Sequence, residues 1–448
     1  MGGRVLRVAV SLFLMVQAGQ ASAKGRNATR DTQPVKQFTS DQFIDPETCA
    51  GCHSQIFGQW QYSMHNLSHQ DEVYNRVAKF LREGLVHEGE IKEAESCVKC
   101  HTPVGYVSGF PRQLSDDLSK TPEIAVQGIQ CDYCHSAVDV EKMYNNGLVL
   151  SPGQGEDDPG IKYGPFDDCE PDFHEAAFSK LHGDSKICGT CHNVKHLAFG
   201  TDLETTYTEW ENSPYNSSDS EKRVTCQGCH MYQRPGVPAT GSTKRPENPG
   251  AATDYSDERP HIFTHYFVGG NTAGFDGGEK AAMAVERLQN AASLDLDLSL
   301  ASQGKINVIV TNSGAGHSLP TGVGDLRQVW IELNLFDDKG NLCFSTGGLD
   351  EKKELDPLAV VFKTVFGDGQ GNPVVNIAKA RQILSDTRIP AGQSLTHTFE
   401  TGVLPQKGWR VKARLLYRGM DQKILNLLPG TPIPALPVVE MEKISQTF

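Results

Sequence analysis

The 448-residue chain has no long apolar run. A spanning helix needs about 20 such residues, and nothing after the N-terminus approaches that. Positive charge is also short: 42 Lys and Arg against 55 Asp and Glu give a formal net charge of −13. A chain with that balance does not bind nucleic acid through phosphate contacts. The acidity suits a partner that is basic, or a mineral surface, and is mainly a statement about solubility. Sustained periodicity is missing from residues 46–270, so no continuous amphipathic scaffold is predicted there. Cysteine outside one repeated pattern is scarce: of 12, only Cys169 and Cys343 stand apart.

The pattern is Cys-x-x-Cys-His, and it occurs five times: Cys49–His53, Cys97–His101, Cys131–His135, Cys188–His192 and Cys226–His230. That pentapeptide is the attachment site for c-type haem. Cys49, Cys52, Cys97, Cys100, Cys131, Cys134, Cys188, Cys191, Cys226 and Cys229 would add to porphyrin vinyl groups. His53, His101, His135, His192 and His230 would reach the irons as proximal ligands. Zinc knuckles pair such motifs and do not need a His after each second Cys. A thioredoxin-like pair would occur once, in a βαβ context. Five covalently bound haem c groups are therefore expected. The proximal histidines are 48, 34, 57 and 38 residues apart, so no fixed period marks a solenoid.

Residues 1–23 have the form of a secretory signal: Arg4 and Arg7, an apolar run Val8–Gly19, and Ala21-Ser22-Ala23 before Lys24. Its removal takes two arginines and moves the net charge from −13 to −15. Covalent haem attachment in bacteria occurs outside the cytoplasmic membrane, so export to the periplasm or cell surface of a bacterium is expected. The chain is not expected to span a membrane.

Residues 24–45 are polar and predict a flexible leader. Residues 46–294 form the predicted pentahaem domain, loop-rich and mainly α. Val73, Val77, Phe80 and Leu81 share one face of a helix over Asp71–Glu83. A second helix is predicted over Glu279–Ala292, with Ala282, Val285, Leu288 and Gln289 at helical spacing. Beyond residue 295 the pattern alternates: Ile306, Val308 and Val310, then Val329, Ile331, Leu333 and Leu335, with a turn at Asp337–Asn341. Residues 295–428 therefore predict an antiparallel β-sandwich, and residues 429–448 a Pro-rich tail.

The sixth position on each iron separates a carrier from a catalyst. Ten histidines remain for five irons: His65, His69, His87, His174, His182, His196, His261, His265, His317 and His397. Bis-His ligation throughout is affordable, and sequence demands no open iron. His174 and His182 both precede Cys188, and one of them is expected to serve, His182 before His174. Met64 and Met231 sit beside candidate ligands and are not favoured.

Five segments resemble multihaem cytochromes c related to the tetrahaem carrier of ammonia oxidation. They are Cys49–His53 followed by Trp60, Ser63 and His65; Gly128–His135; His174 to His182 then Ile187–His192; His265–Gly270; and Thr311–Gly322. The resemblance implies that His65, His265 and His317 are distal ligands. His65 follows a haem site closely, and His317 lies in a Gly-rich loop between two predicted strands. This chain departs from the tetrahaem carrier in its fifth motif and its appended β domain, so substrate and partner do not transfer.

An electron carrier is expected before an enzyme. Bis-His ligation saturates iron, lowers its potential relative to His/Met ligation and blocks substrate. Partners would be redox proteins, such as other cytochromes or a quinol-linked complex, with homo-oligomerisation left open. The alternative is a multihaem oxidoreductase acting on a small nitrogen or sulfur compound at one open haem. The pentahaem nitrite reductases carry Lys in place of one proximal His, and all five motifs here end in His. The site at Cys97–His101 is the one with no evident distal partner. A structural subunit of a conductive filament, docked through the β domain, is compatible with the carrier. Cys169 and Cys343 fall in different predicted domains and are expected to be free thiols.

Overall fold

Short helical turns and coil make up the first half, because each attachment pentapeptide closes one turn and then stops. His53, His101 and His192 donate their backbone N–H to the carbonyls of Cys49, Cys97 and Cys188 at 2.9, 3.1 and 3.0 Å. Cys131–His135 and Cys226–His230 are short α-helices. A helical turn brings positions i, i+3 and i+4 to one side, so both thiols and the imidazole of each motif face the same space. The computed structural model describes residues 38–274 and 278–448, and these fall within one compact unit. The predicted signal and most of the predicted leader lie outside the described residues. No described helix is long and apolar enough to cross a membrane.

The predicted leader is packed from residue 38 onward. Phe38 and Phe43 join a cluster with Val104, Ala125 and Tyr133, and Ile44 N donates to Asp132 Oδ2 at 2.9 Å. Aromatic side chains inside a polar stretch were the overlooked signal. Helix α1 spans Glu72–Arg82, capped by Asp71, whose side chain accepts from Tyr74 N. Helix α2 is Thr206–Glu211. Helix α3 is Glu279–Gln289 and buries Ala281, Met283, Ala284 and Leu288. Its apolar face is rotated from the predicted one, leaving Ala282 and Gln289 exposed.

Strands β1 (Ser293–Asp297), β2 (Lys305–Thr311), β3 (Gln328–Phe336), β4 (Leu342–Thr346), β5 (Val360–Phe362), β6 (Ser394–Glu400), β7 (Arg410–Arg418) and β8 (Val439–Thr447) build two open antiparallel sheets. One has the order β6-β2-β1; the other runs β4-β3-β7-β8, with β5 also pairing β3. Between β5 and β6, a small sheet sets Thr364–Gly367 between Pro373–Val374 and Gln382–Asp386. Ile306, Val308 and Val310 of β2 and Val329, Ile331, Leu333 and Leu335 of β3 are fully buried in one shared cluster. The alternation that predicted these strands is the alternation that buries them. Trp330 faces the other way and is buried too, against Leu355 and Leu416. Two boundaries change. The strand β1 begins at Ser293, before the predicted boundary. The predicted tail holds β8, which pairs with β7 from Arg410↔Thr447 to Tyr417↔Val439. Prolines precede β8, and a bulge opposite Leu415 and Leu416 breaks the alternation between Met441 and Ile444.

Glu209 of α2 ties the two halves together. Its Oε1 accepts from Thr205 Oγ1 at 2.7 Å and Arg388 Nη1 at 2.5 Å. Its Oε2 accepts from Ser318 N at 3.0 Å and Thr321 Oγ1 at 2.6 Å. Glu209 and Arg388 side chains are about 10% exposed. Arg388 keeps Asp386 when Glu209 is lost, but Ser318 N and Thr321 Oγ1 lose their acceptor, and an unsatisfied buried polar group costs about 1–3 kcal/mol. Glu209→Ala should therefore lower unfolding stability by about 2–3 kcal/mol, measured by denaturant titration. A loss below about 1 kcal/mol, the range of exposed pairs, would contradict this role.

Asp325 offers a second measurement. Burial raises its carboxyl from the ordinary 3.8 to about 7, and neither oxygen has a hydrogen-bond partner. A folded-state value above the unfolded one means the folded form holds the proton longer, so stability falls as pH rises from about 4 to about 7. Asp325→Asn removes that loss. The variant should gain stability relative to the parent between pH 4.5 and pH 8; an unchanged difference at the two pH values would refute the assignment.

Candidate functional site

One connected cavity of about 2310 Å³ is lined by both cysteines and the histidine of all five pentapeptides. Five more histidines line it: His65, His174, His182, His265 and His317. The other five are engaged elsewhere. His69 Nδ1 meets Thr102 Oγ1, His87 caps a helix, and His196 is buried against the Ala378 carbonyl. His261 stacks on Tyr232, and His397 lies on β6 beside Phe399.

The ring nitrogens are sorted by their hydrogen bonds. Nδ1 of His53, His101, His135 and His230 contacts the carbonyls of Ala252, Ser68, Tyr163 and Val268 at 2.8, 3.2, 2.7 and 3.1 Å. Nδ1 of His192 contacts Glu204 Oε1 at 3.2 Å. His174, His265 and His317 do the same with Glu175 O, Phe263 O and Ser318 O at 2.9, 3.0 and 3.0 Å. An imidazole that donates from Nδ1 presents an unprotonated Nε2, the form that binds metal. His182 is reversed: its Nε2 contacts Cys134 O at 3.0 Å, and its buried Nδ1 has no partner.

Burial keeps many of these rings neutral. His65 and His265 are pushed down to about 3, and His101 and His182 to about 4, by burial first and neighbouring imidazoles after it. His192 is the exception. Burial opposes its charge, but the Glu204 carboxylate outweighs that and raises it to about 9.

The ring spacing tests the fit of a haem. Two imidazoles on opposite sides of one metal, each at about 2.0–2.1 Å from it, have ring centres roughly 6.3 Å apart. His53 and His174 are 6.5 Å apart, His65 and His192 6.4 Å, and His135 and His265 6.4 Å. His182 sits 5.5 Å from His135, closer than the axial spacing. His317 acts electrostatically on His230. Neither His101 nor His230 has a histidine ring at axial spacing among the described residues; Tyr74 stacks on His101 at 3.9 Å. The buried Arg287 supplies a cation: it donates to Ala239 O and Cys229 O, and its Nε is unpartnered. Ten thiols, imidazoles with free Nε2 at axial spacing, and a buried cation beside the fifth motif fit haem and its carboxylates.

The thiols also show which motifs are neighbours. The free thiols of Cys49 and Cys131, of Cys100 and Cys191, and of Cys188 and Cys226 lie side by side, within hydrogen-bonding reach. Cys134 feels Cys191 electrostatically. The fourth motif thus adjoins the second, third and fifth, and the first adjoins the third. This branching, the His174–His53 pairing and the Glu204 contact could not be found from spacing, since each joins segments distant in sequence or set by a turn. Of the two histidines ahead of Cys188, His174 stands at axial spacing from a motif histidine and His182 stands closer than that spacing. Cys169 and Cys343 are both free.

The His317 loop is fitted by glycine. Gly314 N donates to Ala291 O at 2.9 Å, and Gly241 N donates to Gly314 O at 2.7 Å. A Cβ at position 314 would lie 1.9 Å from Asn290 O, so only glycine permits this approach.

A family model described as cytochrome c554 and c-prime matches residues 48–136, the stretch holding the first three pentapeptides. No curated protein matches the chain. The crystal structure of a penta-heme cytochrome c552 from Thermochromatium tepidum is similar to it, with a TM-score of 0.61 and 20% identity. That match covers 93% of this chain and 100% of the other. At that identity the likeness speaks for the fold, which is that of a multihaem c-type cytochrome.

Two substitutions separate the candidate ligands. In the haem-loaded protein, His174→Ala should turn one low-spin EPR signal high-spin, while His182→Ala should leave every low-spin signal in place. The opposite pattern would reverse the assignment.

Proposed function

We propose that the chain is an exported pentahaem c-type cytochrome, a relative of the tetrahaem carrier, that passes electrons between redox proteins through mostly bis-His haems. Respiratory or extracellular electron transfer is the setting this implies, with other cytochromes or a quinol-linked complex as partners. The observation that carries it is the cavity lined by all five motifs and by five further histidines, with three cross-motif pairs at axial spacing.

Bound haem would supply a reversible one-electron iron couple at each site. The ten motif cysteines would hold the groups by thioether bonds. His53, His101, His135, His192 and His230 would serve as proximal ligands. His174, His265 and His65 would ligate from the other side of the irons held by His53, His135 and His192, and His317 of that held by His230. Nδ1 contacts fix most of these rings in plane. Trp60, Val77, Leu81 and Leu203 line the cavity with apolar surface and keep water out, and Arg287 offsets carboxylate charge. The two C-terminal sheets are proposed to form a β-sandwich that delivers His317. The N-terminal pattern of residues 1–23 supports export to the periplasm or cell surface.

A second reading rests on one observation. His101 has Tyr74 beside it and no histidine at axial spacing, so an open position there would admit a small nitrogen or sulfur compound. The two readings diverge in one experiment. The carrier predicts five haems per chain by pyridine haemochrome assay, and no spectral response to cyanide or nitric oxide. A response confined to one high-spin haem favours the second reading, and a chain holding fewer than five haems overturns the pentahaem premise of both.

A further inference from the structure

Four of the five motif histidines rest on backbone carbonyls, and one rests on a carboxylate. His192 Nδ1 meets Glu204 Oε1 at 3.2 Å. The contact is built by a hairpin that turns back directly after the fourth motif. Its arms, Val194–Lys195 and Asp202–Glu204, pair Val194 with Glu204, and Lys195 and Asp202 join across it. Asn193 fixes its base, accepting from Thr208 N at 3.2 Å and donating to Thr208 Oγ1 at 2.9 Å. The Glu204 side chain is 14% exposed. Thr206 Oγ1 donates to the same Oε1 at 3.1 Å and accepts from Gly322 N of the His317 loop at 3.3 Å.

A carbonyl offers Nδ1–H a dipole, whereas a carboxylate offers a full negative charge. The stronger acceptor draws the Nδ1 proton away from the ring and makes Nε2 a more electron-rich ligand. An electron-rich axial ligand favours the oxidised iron, and second-shell hydrogen bonding is one of the protein's levers on potential. The placement gives the effect consequence, because the fourth motif is the junction of the array. Its cysteines adjoin those of the second, third and fifth motifs.

We propose that Glu204 is a positioning residue that lowers the reduction potential of the haem held at Cys188–His192 below the value a carbonyl contact would set. The junction is then the step that an electron must climb to pass between branches. The proposal rests on the multihaem reading above.

Two substitutions in the full haem-loaded chain test it by moving the potential in opposite directions. Glu204→Gln keeps the shape and an oxygen acceptor but removes the charge. Thr206→Val removes the donor that competes for Oε1. Redox titration followed optically and by EPR should show one midpoint rising in Glu204→Gln. The expected change is about tenfold in the ratio of oxidised to reduced iron, or about 59 mV for a one-electron couple. The g-values of that low-spin centre should change with it, and the remaining midpoints should stay in place. Thr206→Val should move the same midpoint downward. Unchanged midpoints and g-values in Glu204→Gln, or a uniform shift of all of them, would overturn the role. If Glu204→Gln fails to fold, Thr206→Val decides alone: a single downward shift supports the role, and no shift overturns it. Wild-type protein that bound no haem would instead defeat the multihaem reading, which separates the two failures.

Discussion

The structure depends on holding most of its cavity imidazoles neutral, oriented and available, with His192 beside the Glu204 carboxylate as the exception. Burial first, and neighbouring imidazoles after it, drive His65 and His265 far below their ordinary range, which secures neutrality but not direction. Direction comes from Nδ1. Eight of the ten cavity histidines spend that nitrogen on a fixed oxygen, so the opposite nitrogen has only one way to point. The oxygens come from mixed surroundings: Ala252 and Val268 lie outside helices and strands, whereas Tyr163 and Glu175 sit in a short two-stranded sheet.

Much of this was legible from sequence, for local reasons. Cys-x-x-Cys-His contains its own geometry, one helical turn that aligns two thiols and a ring. The strands β2 and β3 announced themselves by alternation over seven and nine residues. What escaped were relations between distant segments and one strand hidden by its approach. Val439–Thr447 follows a run of prolines, and its inward residues become recognisable only beside β7. His174 and His182 precede the same motif and differ by which nitrogen the backbone engages, a difference set by folding. Glu204 lies twelve residues past His192, and nothing in its neighbours marks it out until the hairpin closes.

The two halves are coupled by polar contacts as much as by apolar ones. The loop bearing His317 reaches the cavity between two fasteners. On one side Glu209 gathers Ser318, Thr321 and Arg388. On the other, Gly314 lies against the backbone at Asn290 and Ala291, at the end of α3. A β-domain residue thereby takes part in the cavity lined by all five motifs, although its own domain carries none of them.

The chain order of these parts has a consequence for biogenesis. All five attachment pentapeptides precede residue 231, while the second sheet needs β8, which starts at Val439. A chain that emerges N-terminus first presents every thiol pair before that sheet can be completed, and N-terminal regions fold first during synthesis. The loop with His317 arrives after the last pentapeptide and before the strands that anchor it are complete. On the proposed multihaem reading, covalent loading would have a window in which the cavity lacks its final wall, and the closing of the β half would end it.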